Sequence, residues 1–204
     1  MTLEPNRWLQ TRSVSGDAYD ATYERRTAAG ENVHGEADFI ESLGPTSVLD
    51  AGCGTGRVGR ELARRGVDVE GVDIDPEMLA TARRKAPEID WHVADLATVD
   101  LHRSYDAIVM AGNVMIFLAP GSERAVVENL ARHLREGGLV VAGFQIQAGR
   151  LSVQRYDEIA TAAGLRLVER WSTWNRDAWN LNNDYAVSVH RKVAEPGAKE
   201  DRDG

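Results

Sequence analysis

The stretch VLDAGCGTGRVGREL, Val48 to Leu62, carries two overlapping glycine patterns, and the choice between them decides what the chain folds around. Gly52, Gly54 and Gly56 form GxGxG, while Gly54, Gly56 and Gly59 also satisfy GxGxxG, the spacing of a dinucleotide-binding loop. The apolar run before the glycines reads as a strand and the residues after them as a helix, so the glycines form the turn between the two. In an open parallel sheet such a turn faces a ligand, and glycines let the backbone come close to it. Asp50 separates the options. A carboxylate two positions before Gly52 repels a pyrophosphate, whereas a cationic group tolerates or favours it.

The flanking sequence extends the strand–helix alternation. SVLDA is the first strand, and Arg57 to Arg65 has Val58, Leu62 and Ala63 at helical spacing before Gly66 stops it. VDVEGVD is the second strand. Asp75 followed by Pro76 caps a helix, PEMLATARRKA, that Pro87 ends, and IDWHVAD and SYDAIVMAG are the third and fourth strands. The next helix is predicted from Pro120 through ERAVVENLARHLRE to Gly137-Gly138, with LVVAGFQI as the fifth strand. LSVQRYDEIATAAG is a helix closed by Gly164. LRLVERWSTW and DYAVSVHRK then follow each other without an intervening helix, which predicts an antiparallel finish to a mostly parallel, doubly wound α/β sheet. Two further helices, DAYDATYERRTAA and HGEADFIESL, precede the sheet.

Composition bounds the function. At 204 residues, 43% of them hydrophobic, the chain suits one packed domain. No apolar run reaches membrane-spanning length and MTLEPNRWLQ lacks the apolar core of a signal peptide, so a soluble, cytoplasmic protein is expected. The single Cys53 makes neither an internal disulfide nor a zinc cluster, and no metal is expected. A net charge of -8 opposes a phosphate-neutralising surface, and the arginines of RELARR and TARRK read as solvated helix faces, so nucleic acid is not an expected partner. AEPGAKEDRDG, from Ala194, is charged and nearly free of apolar residues, which predicts a disordered tail.

Two more acids end strands. Asp73 closes VEGVD, where it suits ribose hydroxyls, and Asp95 closes HVAD, where it suits an adenine amino group with Leu96 beside the ring. With acids ending three successive strands, the chain resembles a class I S-adenosylmethionine-dependent methyltransferase of the small-molecule type. The resemblance rests on VLDAGCGTG, VEGVDIDPEML, HVADLATVDL, YDAIVMAGNVMIFL and HLREGGLVVAGF in that order, and it covers about residues 46–192. It implies a Rossmann-like, seven-stranded sheet with the last strand reversed. It also implies that Asp50, Gly52, Gly54 and Gly56 line the methionine part of the cofactor, with Asp73, Ile74 and Met78 around the ribose and adenine. Asp95 and Leu96 would meet the adenine, and Ala111 to Asn113 would floor the sulfonium. The product would be S-adenosylhomocysteine, and residues 1–45 would form a helical lid ahead of the catalytic domain at 46–192 and the tail at 193–204.

Candidates for a base or for closing the pocket come from the N-terminal helices: His34, Tyr19, Tyr23 and Glu36. The competing reading is that Tyr19 and Tyr23 pack one helix face and that His34 caps the next helix. Trp171, Trp174 and Trp179 either stack on an acceptor or cover a sheet edge. The expected reaction is in-line attack by a small-molecule acceptor on the sulfonium methyl. The alternatives are a nicotinamide-dependent oxidoreductase, which Asp50 opposes, and a non-catalytic S-adenosylmethionine binder. The place after the fourth strand reads AGNVMIF, without the Pro-Pro-aromatic segment of nucleic-acid amino-methyltransferases, so small molecules lead as substrates.

Overall fold

A computed structural model describes residues 5–12 and 15–194. Three helices come first: α1 (Arg7–Thr11), α2 (Gly16–Ala28) and α3 (Gly35–Glu41). The alternation then runs β1 (Ser47–Ala51), α4 (Arg57–Arg64), β2 (Asp68–Asp73), α5 (Pro76–Lys85), β3 (Asp90–Val93) and β4 (Tyr105–Met110). It continues through α6 (Val114–Phe117), α7 (Glu123–Arg132), β5 (Leu134–Gln145), α8 (Val153–Ala162), β6 (Leu165–Trp171) and β7 (Tyr185–Lys192).

The strands form one seven-stranded sheet in the order β3-β2-β1-β4-β5-β7-β6. The first five are parallel, and β7 runs antiparallel to both β5 and β6, as the strand pair without a helix required. The sheet is therefore the expected α/β architecture. Alternation along β1 sends Leu49 into one core with Val126, Leu130 and Ile159 of α7 and α8, and Val48 into the other with Ile40, Leu62 and Leu79 of α3 to α5. Chain order reverses between β1 and β4, so a crevice opens at the carboxyl ends of these two strands.

Local chemistry explains most boundaries. Asp75 accepts the Glu77 N–H at 3.0 Å and Pro76 takes the first helical position of α5. Ser152 caps α8 through the Arg155 N–H at 3.1 Å. The helix expected from Pro120 to Gly138 is shorter, and the strand after it starts early. His133 ends α7 because its Nδ1 donates to the Asn129 carbonyl at 2.9 Å while its Nε2 accepts the Leu101 N–H at 3.2 Å. Its carbonyl accepts the Tyr105 N–H at 2.8 Å, and Leu134 pairs with Tyr105. Leu134 to Gly138 therefore open β5, with a register shift before Ala107 meets Leu139. Two short helices, α1 and α6, have no counterpart in the sequence reading. The tail expected at 193–204 lies, from residue 195 onward, outside the described residues.

Candidate functional site

The crevice is built from strand ends. Gly52, Gly54 and Gly56 all take left-handed φ values, 76°, 55° and 75°, which side chains with a Cβ rarely adopt. The Gly52 and Cys53 N–H groups donate to the Val72 carbonyl at 2.8 and 3.1 Å, folding the loop back under β2. A Cβ on Gly52 would stand 2.5 Å from the Val114 side chain, so this wall has no room for one.

Each acid is anchored by backbone. At the end of β2, Asp73 accepts the Gly54 N–H at 2.7 Å through one oxygen and the Asp75 N–H at 2.8 Å through the other. Asp50 accepts the Gly59 N–H at 2.9 Å in the first turn of α4. Burial pushes the Asp50 carboxyl up to about 7, against the pull of the Gly59 N–H and the Arg57 charge, and burial raises Asp73 as well. Asp95 accepts the Ala97 N–H at 2.9 Å and stays exposed at the rim. The resulting cleft encloses about 870 Å³ with its open mouth included.

Asp50, Gly52, Gly54, Asp73, Ile74, Met78, Asp95, Leu96, Ala111 and Tyr19 line this cleft. Five expected site residues stand outside the lining, Tyr23 and Glu36 among them. Gly56 caps α4 with the Trp91 indole on the side where a Cβ would go, and it is not part of the cleft lining. Asn113 accepts the Gln145 N–H at 2.8 Å and so pins the loop after β4 to β5, outside the cleft lining. His34 is the N-cap of α3, makes no side-chain cap bond, and leaves Nδ1 buried without a partner among the described residues. It is not among the residues that line the cleft. Tyr19 is, with its hydroxyl 3.2 Å from that of Tyr23, yet burial and Tyr23 raise its proton affinity, so it is a neutral phenol rather than a base at neutral pH.

The tryptophans resolve toward packing. Trp174 meets Phe39 edge-on at 5.6 Å and donates to the Tyr185 hydroxyl at 3.1 Å over the backbone of Gly143. None of Trp171, Trp174 and Trp179 lines the cleft. The lining instead includes residues that sequence reading passed over, chiefly Trp8, Arg57 and Phe117. Trp8 of α1 donates to Asp75 at 2.9 Å and meets Phe117 edge-on at 5.5 Å. Arg57, the first residue of α4, was legible from its place next to the glycine turn; Trp8 carried no local signal.

The donor set suits the cofactor that the resemblance implies. Among the described residues the lining carries three acids, Asp50, Asp73 and Asp95, one guanidinium, Arg57, and no lysine, which favours a cationic nucleoside over a diphosphate. Apolar Ile74, Met78 and Leu96 are also in the lining and would flank a flat base bound there.

Comparison with known proteins identifies the family. A family model described as a methyltransferase domain matches residues 48–138. The crystal structure of a TehB-like SAM-dependent methyltransferase from Corynebacterium glutamicum superposes with a TM-score of 0.80 at 35% identity, covering 87% of this chain and 97% of that one. A dTDP-3-amino-3,4,6-trideoxy-alpha-D-glucopyranose N,N-dimethyltransferase from Streptomyces venezuelae is 32% identical over 132 residues, 61% of this chain and 54% of that protein. A magnesium-protoporphyrin O-methyltransferase from Rhodobacter capsulatus is 38% identical over 86 residues, 40% of this chain and 38% of that protein. The chain spans about half the length of the curated relatives it matches.

Proposed function

The chain belongs to the S-adenosylmethionine-dependent methyltransferase family, and we propose that it transfers the cofactor's methyl group to a small-molecule acceptor by in-line attack. The observation that carries this is the pair of buried strand-end carboxylates, Asp50 and Asp73, flanking a glycine turn that opens into a cleft. When bound, the cofactor supplies a methyl group already activated by its sulfonium.

The chain's own residues then have to bind, orient and exclude water. Asp73, its two oxygens oriented by Gly54 and Asp75, holds the ribose hydroxyls. Asp95 and Leu96 take the adenine, and Ala111 with Gly112 floors the reacting centre. The N-terminal helices α1, α2 and α3 close the roof as a lid. Orientation of this kind contributes about 7–11 kcal/mol to a group transfer, so a dedicated base is not a requirement. Relatives named for an amino sugar and for a porphyrin support a small-molecule acceptor and leave nitrogen and oxygen both open as the accepting atom. A cytoplasmic setting without a nucleic-acid partner completes the reading; no helix among the described residues is long and apolar enough to cross a membrane.

Calorimetry with S-adenosylhomocysteine and with NAD, followed by methyl transfer from labelled cofactor to amino-sugar, porphyrin and quinone acceptors, tests it. Binding of the thioether nucleoside together with transfer is expected. Uptake of NAD instead would return the oxidoreductase, and binding without any transfer would return the non-catalytic binder.

A further inference from the structure

The loop that carries Asp95 and Leu96 lies at the margin of the sheet. It leaves β3, the outermost strand, after Val93 and crosses β2 and β1 to enter β4 at Tyr105, and its residues 94–104 belong to no helix or strand. Its own bonds close one turn. The Asp95 carbonyl accepts the Thr98 and Val99 N–H groups at 3.0 and 2.9 Å, and the Asp95 carboxylate accepts the Ala97 N–H. Such a turn fixes the carboxylate relative to the loop, and the place of the loop in the fold has to come from elsewhere.

It comes from α7. Asn129, 2% exposed, donates from Nδ2 to the Leu96 carbonyl at 2.9 Å and to the Val99 carbonyl at 2.8 Å. Its Oδ1 accepts from Arg132 Nη2 at 2.6 Å, so only this orientation of the amide satisfies every group around it. One turn on, the Asn129 carbonyl accepts from His133 Nδ1, which leaves Nε2 to accept the Leu101 N–H at 3.2 Å. The Leu96 and Val99 side chains are buried in the core with Val126 and Leu130 of the same helix. Leucine would fill the place of Asn129 with no amide to satisfy, so what the amide adds is the placement of two loop carbonyls. Leu96 lines the cleft while its carbonyl is fastened behind it; neither Asn129 nor His133 is in the lining.

We propose that Asn129 and His133 are positioning residues for base selection: by gripping the main chain at Leu96, Val99 and Leu101 they hold Asp95 where it accepts the 6-amino group of adenine and rejects a base with oxygen there. The inference rests on the cofactor reading above and deepens it, assigning selectivity at Asp95 to two side chains that do not touch the ligand. A fixed carboxylate accepts from an amino group and repels a carbonyl oxygen, whereas one on a loosened loop can turn away from the oxygen and discriminates less.

The experiment measures, by calorimetry, the affinities for S-adenosylhomocysteine and for S-inosylhomocysteine, in which oxygen replaces the 6-amino group, together with the melting temperature of each protein. The wild type is expected to prefer the adenine compound by about 30-fold or more. Asn129→Leu should weaken S-adenosylhomocysteine by about 10-fold and S-inosylhomocysteine by less than about 2-fold, so the preference narrows. His133→Leu should narrow it by about 3-fold, and His133→Gln, whose Oε1 reaches the place of the imidazole Nε2 and accepts the Leu101 N–H, should restore it. Amide hydrogen exchange at residues 97–101 should quicken in both leucine variants and not in the glutamine one. Where Asn129→Leu does not fold, His133→Leu against His133→Gln carries the comparison. A purely structural role lowers the melting temperature and weakens both nucleosides alike. That result, or a His133→Gln no more selective than His133→Leu, would overturn the proposal. A wild type that binds both compounds equally also overturns it while leaving the cofactor assignment standing, and one that binds neither overturns both.

Discussion

The cleft has a wall and a roof, and they are held by different kinds of contact. In the wall, Asp50 and Asp73 are oriented by the N–H groups of Gly59, Gly54 and Asp75, with every partner on the same β1–α4–β2–α5 run. In the roof, side chain meets side chain across the fold: Trp8 with Asp75, Arg12 with Asp75 and Glu77, and Glu36 with Arg57. Backbone donors cost little to hold in place because the strand ends are already ordered, whereas each roof contact must order long side chains. The wall is a preformed receptor, and the roof is the part able to open. Two fastenings differ even within the roof: Arg12 on α1 is 32% exposed, while Arg57 is 10% exposed. The α1 strap is therefore the weaker of the two.

This contrast sets the order of expected effects. Removing the wall should cost most: Asp73→Ala should weaken S-adenosylhomocysteine by about 100-fold or more, since a charged hydrogen-bond acceptor and the order of two backbone donors are lost together. Calorimetry on the folded variant checks it, and near-normal affinity would mean that the ribose is held elsewhere. Titrating the wall comes next. Asp50 has its carboxyl raised to about 7, so it carries a full charge for the ligand's ammonium group only above that pH. Affinity should rise about 10-fold from pH 6 to pH 8, following the ionised fraction. Folding stability runs the other way: with the folded value raised above the unfolded one, Asp50 subtracts stability progressively from about pH 4 to pH 7 and no further above it. Asp50→Asn should flatten the affinity profile, and a profile that keeps its slope would assign the titration to another group.

Loosening the roof at α1 should cost less. Trp8→Ala is expected to raise the dissociation constant by about 5-fold, mostly through faster release, as a rim contact without buried charge would; stopped-flow release of S-adenosylhomocysteine reads it, and slower binding with unchanged release would contradict a strap. The smallest effect belongs to His34→Gln, whose ring stands off the cleft, with methyl transfer expected within about twofold of the wild type. A larger loss in transfer rate with unchanged melting temperature would restore His34 to the reaction.

The same contrast explains what could be read from residues in order. α5 was legible because Asp75, Pro76 and the Pro87 stop act within a few positions of the helix they bound. The end of α7 was not, because His133 takes its partners from Leu101 and Tyr105 as well as from its own helix, and a strand pairing overrides the helical period that continues to Gly137. Asp50, Asp73 and Asp95 were legible as strand ends. Trp8 was not, since its partner Asp75 lies 67 positions away and no local pattern marks an indole that will meet it. Asn113 and Gly56 were placed at the ligand by their position in matching segments, and the fold instead gives Asn113 the Gln145 N–H to accept and sets Gly56 against the Trp91 indole, neither of them in the cleft lining.

Order along the chain was enough to set the strand–helix succession, the reversal of the final strand pair and the acids at the strand tips, because caps, turns and alternating faces are decided by near neighbours. Tertiary structure alone decided which side chains roof the cleft and how far the charge of Asp50 is suppressed, because both depend on groups brought together from distant positions and on the water they displace.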